Sequence, residues 1–237
     1  DLILTISHST KQDIAHYIDI SPDKIFVTPL ASRYECAEAN NNPINPEDPE
    51  LSILNKISPK PYFLFIGTLE PRKNIPMLIR AFSALKSKYK VDHQLLLVGR
   101  KGWKYEPVFQ AIEDSICTDE ILYLNYLSNQ ALMHLYQQAE AFIYPSYFEG
   151  FGLPVLEAMS LGCPVITSNT SSLPEVAGDA AILTSPTEMD ELIDAMYKII
   201  DSQGKRQTLI SLGYKQASKF SWQNTAYETL TAYRSVL

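Results

Sequence analysis

Short apolar runs alternate with longer amphipathic stretches along most of this chain. The apolar runs predict buried strands at Tyr62–Ile66, Gln94–Val98, Ile121–Leu124, Ala141–Tyr144, 163–167 and 180–183. Apolar residues three or four apart predict helices between these strands, ending near residues 89, 116, 139 and 162, and three more at 186–202, 205–220 and 222–237. This alternation predicts an α/β protein, with a Rossmann-like parallel sheet covered by helices on both faces.

The first sixty residues have a different character. Strands are predicted at 2–6 and 25–29, with a helix between them that Ser9 or Thr10 caps and that ends at Ile18. Residues 31–60 then become polar and rich in proline, most clearly at 40–49. Such a composition is typical of an exposed linker, so we expect a domain boundary there.

Glycines cluster directly after the predicted strands. Five of the nine do so, namely Gly67, Gly99, Gly102, Gly150 and Gly152. The carboxyl ends of parallel strands share one edge of a sheet, where open α/β sheets bind their ligands. We therefore expect the functional site at that edge.

The stretch at 142–167 combines a strand, a glycine loop, a helix opened by Pro154 and a second strand. Free backbone N–H groups and the helix dipole favour an anion at such a loop. Glu149 and Glu157 flank it, and carboxylates beside an anion site are understandable if the ligand also carries hydroxyl groups. The pattern predicts a ligand that combines phosphate with sugar, although one surface glutamate and one helix-stabilising glutamate would give the same pattern.

Arg72 and Lys73 stand between the Tyr62–Ile66 strand and the next helix. A guanidinium fork beside a compact ammonium charge suits a diphosphate. Two adjacent basic residues in a turn are also common at solvent-exposed positions. Their place at the carboxyl end of a strand favours the phosphate site.

Composition narrows the choice of function. The chain has 237 residues, is 46% hydrophobic and carries a formal charge of −7 with a pI near 5.1, which argues against a general nucleic-acid-binding protein. Its three cysteines, Cys36, Cys117 and Cys163, have no disulfide or metal-site spacing, and the four histidines have none either. We expect a globular protein of a reducing cytoplasm with no bound metal.

The sequence EGFGLPVLE at residues 149–157 resembles the E-x7-E signature of retaining glycosyltransferase family 4, also called glycosyl transferases group 1, which has the GT-B fold. The flanking sequence agrees in order: Pro145-Ser146, 162–165 and 173–180. The G-T-L-E-P-R-K-N run at 67–74 is similar to the pyrophosphate loop of that family, where many members have arginine in the position of Thr68.

This resemblance implies a domain organisation. Residues 1–32 would be the tail of an N-terminal acceptor domain and the hinge, 33–221 the nucleotide-sugar-binding domain, and 222–237 a terminal helix that packs back toward the first domain. The chain would then be the C-terminal half of a GT-B fold. Most of an N-terminal acceptor domain would be absent from it.

The resemblance also implies an activity and its residues. A retaining transferase would move a sugar from a nucleotide-diphosphate sugar, of the GDP-mannose or UDP-sugar type, to a glycan or lipid-linked acceptor without a metal. Glu149, Arg72 and Lys73 would be catalytic and Glu157 would bind ribose. Further donor contacts are expected at Gly67, Thr68, Gly99, Tyr126, Leu127, Gly150, Phe151, Gly152 and Leu153.

Other functions compete with this one. A nucleotide-sugar-binding module without transfer activity of its own would use the same residues, and a phosphorylase shares the fold. A glycosidase would explain two carboxylates but gives no reason for Arg72 and Lys73. The expected role is the synthesis of surface polysaccharide in the cytoplasm, and the resemblance allows peripheral association of the full protein with the inner face of the membrane.

Overall fold

A parallel sheet of six strands forms the centre of the molecule. The computed structural model describes residues 1–34 and 59–236. Its strands are β1 Ile3–Thr5, β2 Ile25–Val27, β3 Tyr62–Ile66, β4 Gln94–Val98, β5 Ile121–Leu124, β6 Ala141–Tyr144, β7 Val165–Ser168 and β8 Ala181–Thr184. The large sheet has the order β5-β4-β3-β6-β7-β8, while β1 and β2 form a separate parallel pair.

The helices in the described ranges surround the sheet. They are α1 His8–Ile18, α2 Ile75–Tyr89, α3 Glu106–Glu113, α4 Asn129–Gln138, α5 Leu153–Ser160, α6 Leu173–Ala177, α7 Met189–Asp201, α8 Gln203–Ala217 and α9 Trp222–Arg234. Helix α2 packs against α3 and α7, whereas α5 packs against α6 and α8. The predicted Rossmann-like α/β fold is confirmed.

The strand order reverses beside β3. Along the chain β3 is followed by β4 and β5 on one side, and β6, β7 and β8 then continue on the other. Phe63 pairs with Leu95 of β4 and with Ala141 of β6, so β3 lies between the two halves. Ligands of open α/β sheets bind at this reversal, at the carboxyl ends of the strands.

Several predicted element limits are wrong, and local hydrogen bonds explain two of them. Strand β7 starts at Val165 because Gly162 has a φ of +72° and Cys163 N–H donates to Ala158 O, which closes helix α5 in a Schellman motif. Helix α3 ends at Glu113 rather than 116, and the Thr118 hydroxyl donates to the carbonyls of Ile112 and Ser115 at 2.6 and 3.0 Å.

Three predicted helix starts are also wrong, those of α1, α7 and α8, and α7 begins at Met189 rather than 186. Ser7, not Ser9 or Thr10, caps helix α1, because its side chain accepts from Thr10 N–H. Helix α8 begins at Gln203, since Ser202 caps it by accepting from Lys205 N–H. The predicted linker at 40–49 and Cys36 lie outside the described residues.

The N-terminal pair of strands contacts the last helix. Thr225 of α9 donates its hydroxyl to Pro29 O at 2.5 Å, and the Trp222 indole donates to Ser32 O at 3.1 Å. Helix α1 reaches the glycine loop through Thr10, whose hydroxyl donates to Gly150 O at 3.3 Å. The predicted domain limits at residues 32 and 221 remain a prediction.

His93 gives this fold a testable dependence on pH. The side chain is 7% exposed and stacks on Phe63, and neither ring nitrogen has a hydrogen-bond partner among residues 1–34 and 59–236. Burial, together with the nearby Lys86 charge, lowers the pKa of His93 from 6.5 to about 4. Below pH 6.5 the unfolded state therefore binds a proton that the folded state does not, so stability falls as the pH drops to 4.

In the wild type, this proton lowers the free energy of unfolding by about 3 kcal/mol as the pH falls, at about 1.4 kcal/mol per pKa unit. We expect His93→Phe to abolish that fall. Urea unfolding at several pH values between 4 and 7 measures it. The substitution also removes two unpaired polar atoms, so it should not destabilise the protein at pH 7. The matched control is His16→Phe, at an exposed position, which should keep the wild-type dependence of the free energy of unfolding on pH. If His93→Phe also keeps it, His93 is not its source.

Candidate functional site

Two loops meet where the sheet order reverses. The loop after β3 makes a single 3-10 turn at Pro71–Lys73, and the loop after β6 leads to helix α5. Tyr147 N–H donates to Arg72 O at 2.8 Å and joins the two loops. Between them lies a cavity of ≈ 470 Å³.

Lys73 is the most deeply buried cation of this cavity, at 5% exposure. Its Nζ donates to Glu149 Oε1 at 2.6 Å and also to the hydroxyl of Tyr144. Burial lowers the pKa of Lys73, and the carboxylate of Glu149 offsets part of that effect. The ammonium group is thus held in place by two side chains of the β6 segment.

Glu149 receives a second cation on its other oxygen. Arg72 Nη1 lies 2.6 Å from Glu149 Oε2, and Arg72 Nε lies 2.7 Å from Glu70. Burial alone would raise the pKa of Glu149, but the charges and hydrogen bonds of Lys73 and Arg72 outweigh it and the pKa is lowered. Glu149 is therefore ionised at neutral pH and shared between two cations.

Two serines after β7 fix the loop that carries Glu149. Ser171 Oγ accepts from Glu149 N–H at 2.9 Å, while the Ser172 hydroxyl donates to Glu149 O and Phe151 O at 2.8 and 2.9 Å. The sequence shows only a polar loop there, and its contact with the glutamate loop could not be predicted from spacing. The catalytic candidate consequently lies on a braced backbone.

Helix α5 begins at this loop. Gly152 has a φ of +108°, and an added Cβ would lie 2.9 Å from Leu173, so this position requires glycine. Gly150 has no such need, because its Cβ would meet only Ile6 at 3.7 Å. The backbone conformation therefore requires glycine at Gly152 but not at Gly150.

Glu157 faces the same cavity one turn into α5 and is 5% exposed. Arg33, which no sequence pattern predicted as a site residue, holds it through two contacts: Nε to Oε1 at 2.7 Å and Nη2 to Oε2 at 3.2 Å. The hydroxyl of Tyr136 lies 3.4 Å from Oε2. Arg33 and Glu157 are 124 positions apart, so no local pattern could have paired them.

The cavity brings together ten of the thirteen predicted donor residues. They are Gly67, Thr68, Arg72, Lys73, Glu149, Gly150, Phe151, Gly152, Leu153 and Glu157. The other three lie outside its lining: Gly99 packs on the backbone of Gly67, Tyr126 is 62% exposed under the Arg100 guanidinium, and Leu127 is 3% exposed in the core. A donor contact at these three positions remains a prediction.

The chemistry of the cavity combines both signs of charge. Arg33, Arg72 and Lys73 are matched by Glu149 and Glu157, all within one lining. Cations hold phosphate oxygens, and carboxylates accept hydrogen bonds from hydroxyl groups. A ligand with both groups can satisfy all five side chains.

Neither a metal site nor a membrane-spanning helix is present in residues 1–34 and 59–236. Within the described ranges, no three histidine, cysteine, aspartate or glutamate side chains are grouped so that they could hold a metal ion. None of the helices in these ranges is both long enough and apolar enough to span a bilayer.

Comparison with known proteins identifies the family. Residues 47–216 match the family described as Glycosyl transferases group 1. The chain is 37% identical over 235 residues to O-antigen chain mannosyltransferase B of Escherichia coli, covering 98% of this chain and 60% of that protein. It is 30% identical over 240 residues to the E. coli serotype-specific mannosyltransferase WbdA, covering 100% of this chain and 29% of that one.

A similar solved structure is a glycosyltransferase from Rickettsia africae ESF-5, with a TM-score of 0.83 and 19% identity, covering 100% of this chain and 63% of that chain. Sucrose-phosphate synthase from Thermosynechococcus elongatus gives a TM-score of 0.81 at 22% identity, covering 100% and 58%. This chain thus spans less than two thirds of these relatives. The family match covers well over half of the chain, which therefore belongs to the glycosyl transferases group 1 family.

Proposed function

We propose that this chain binds a nucleotide-diphosphate sugar, with mannose as the favoured sugar, for transfer to a glycan or lipid-linked acceptor in polysaccharide synthesis. The observation that carries the proposal is the meeting of Arg72, Lys73 and Glu149 in one cavity at the reversal of the sheet. Family membership and the mannosyltransferase names of its relatives support the choice of reaction and sugar.

Arg72 and Lys73 would bind the diphosphate. Both already lie at the carboxyl end of β3, and the start of α5 adds backbone N–H groups to the same cavity. As the bond between sugar C1 and phosphate oxygen breaks, negative charge grows on the leaving diphosphate. Preorganised cations at that position are usually the largest contribution to catalysis.

The two glutamates would orient the sugar parts of the donor. Glu157 would accept hydrogen bonds from the ribose, and Glu149 from hydroxyls of the transferred sugar. Glu149 is suited to this because its braced backbone and two cations fix the carboxylate. Such fixing lowers the entropy that must be lost to reach the reactive geometry.

Retention of configuration and independence of metal are parts of the proposal. The acceptor hydroxyl would attack C1 on the face that the diphosphate leaves, and the departing phosphate oxygen would take the acceptor proton. Arg72 and Lys73 would supply the positive charge that a divalent cation supplies in other transferases.

Isothermal titration with GDP, UDP, ADP and their sugar conjugates, without and then with Mg²⁺, tests the proposal. We expect selective binding that does not need the metal. Glu157→Gln should weaken binding of every nucleotide by roughly tenfold, since a hydrogen bond to a charged group contributes about 1.5–3 kcal/mol. Glu149→Gln should instead reduce the preference for the sugar conjugate over the free nucleotide.

The outcomes separate the alternatives. Binding without transfer in an assay with acceptor would favour a donor-binding module that needs further protein for catalysis. If no nucleotide binds, or if neither glutamate variant changes binding, the site assignment is wrong.

A further inference from the structure

Arg33 reaches the cavity from the N-terminal part of the chain. It follows β2, and the backbone just before it is fixed by α9, because the Trp222 indole donates to Ser32 O at 3.1 Å. Its guanidinium extends to Glu157 on α5 and to Asn129 Oδ1 on α4 at 2.9 Å. One side chain thus joins three parts of the fold at the cavity.

The contact with Glu157 uses both oxygens of the carboxylate. Arg33 Nε lies 2.7 Å from Oε1, and Nη2 lies 3.2 Å from Oε2, with the Tyr136 hydroxyl also at 3.4 Å from Oε2. A carboxylate offers about four acceptor sites, and Arg33 takes one on each oxygen. The Tyr136 hydroxyl, which also lies 3.5 Å from Pro154 O, competes for a third. Two vicinal hydroxyls therefore meet a carboxylate on which both oxygens already have a donor.

We propose that Arg33 competes with the ribose for Glu157 and so sets the affinity for the nucleotide. The inference rests on the proposed function, in which Glu157 binds the ribose. Arg33 occupies one acceptor site on each oxygen of Glu157, so hydroxyls that approach this carboxylate compete with it on both oxygens. The Arg33 side chain is 47% exposed, whereas that of Glu157 is 6% exposed, so the arginine is the partner that moves.

The opposite role makes the opposite prediction. If Arg33 stayed in place and only oriented Glu157, loosening its hold would weaken nucleotide binding. If Arg33 competes, loosening its hold without removing its charge strengthens binding. A substitution at Asn129 distinguishes the two roles, because Asn129 accepts a hydrogen bond from Arg33 Nη1 and has no contact with Glu157 among the described residues.

The test compares nucleoside-diphosphate affinity in Asn129→Ala and Arg33→Lys with that of the wild type. Neither variant changes the net charge: Asn129→Ala releases Arg33 Nη1, and Arg33→Lys removes the two-point contact with Glu157. One net hydrogen bond is worth about 0.5–1.5 kcal/mol, so we expect GDP or UDP to bind roughly 2- to 10-fold more tightly. Gln130→Ala, at the neighbouring exposed position of α4, is the matched control and should leave the affinity unchanged.

A second readout excludes a merely structural role. In the Glu157→Gln background, Asn129→Ala should no longer strengthen binding, because the contested carboxylate is gone. Unchanged or weaker binding in both single variants, with a wild type that does bind, overturns this inference alone. A folded wild type that binds no nucleotide overturns the proposed function and this inference with it.

Discussion

Replacement of Lys73 by methionine is expected to lower the affinity for a nucleotide-diphosphate sugar by about 100-fold and to reduce transfer at least as much. Charge-assisted hydrogen bonds contribute about 1.5–3 kcal/mol each, and a buried ammonium group is little screened by water. Lys73 is 5% exposed and its ammonium is aimed into the cavity by Glu149 and Tyr144. A cation fixed in this way has little entropy left to lose when phosphate binds.

The variant should still fold. Glu149 loses one cation but keeps Arg72 at 2.6 Å, so no buried carboxylate is left without a partner. Methionine preserves most of the volume of the lysine stem, and volume-conserving changes are tolerated best in packed regions. We expect a loss of about 1–3 kcal/mol in the free energy of unfolding, the cost of removing a hydrogen-bond partner from a buried group.

Lys101→Met is the matched control for the charge. Lys101 also follows a strand of the sheet, but it is exposed and its ammonium packs over the rings of Tyr105 and Phe109. Titration calorimetry should show wild-type affinity in Lys101→Met and the large loss only in Lys73→Met. Equal losses in both variants would indicate a general effect of charge and would remove Lys73 from the site.

The sheet was predictable because its central strands are buried on both faces. All residues of β3, β4 and β6 are buried, which produces continuous apolar runs that hardly depend on tertiary context. The boundaries of those three strands agree with the prediction. Strand β7 is also fully buried but starts two residues later than predicted, because the Schellman motif extends through Cys163, and β8 at the edge of the sheet is displaced by one residue. Helix starts were less predictable, since at α1 the hydroxyl residues Ser7, Ser9 and Thr10 stand close together and only the folded backbone selects the cap.

The site was predictable where its residues lie close together in sequence. Arg72 and Lys73 share one turn and Glu149 stands next to the glycine loop, so a parallel sheet alone brings them to one edge. The bond from Arg33 to Glu157 spans 124 positions and depends on the docking of β2 and α9, for which the sequence has no periodic signal. Long-range ion pairs of this kind become visible only once the topology is known.

Gly99 is the position at which one methyl group should damage the fold most. It has a φ of +150°, and an added Cβ would lie 2.0 Å from Gly67 O and 2.7 Å from Gly67 C. The two backbones are held together, because Gly67 N–H donates to Val98 O at 2.9 Å and Leu69 N–H to Arg100 O at 2.9 Å. The methyl group meets backbone rather than a movable side chain, so β3 and β4 must separate at their carboxyl ends.

We expect Gly99→Ala to lower the free energy of unfolding by about 4 kcal/mol, from roughly 1–3 kcal/mol of backbone strain and a similar cost of overpacking. Urea denaturation measures it. Gly204→Ala in α8 is the control, since its Cβ meets nothing within 4 Å, and it should stabilise the protein by about 0.5–1 kcal/mol through helix propensity. A loss of less than about 1 kcal/mol in Gly99→Ala would show that the carboxyl ends of β3 and β4 can separate at little cost.

Since Gly67 lines the cavity, the same displacement should weaken nucleotide binding, which makes Gly99 a structural support of the site from outside its lining.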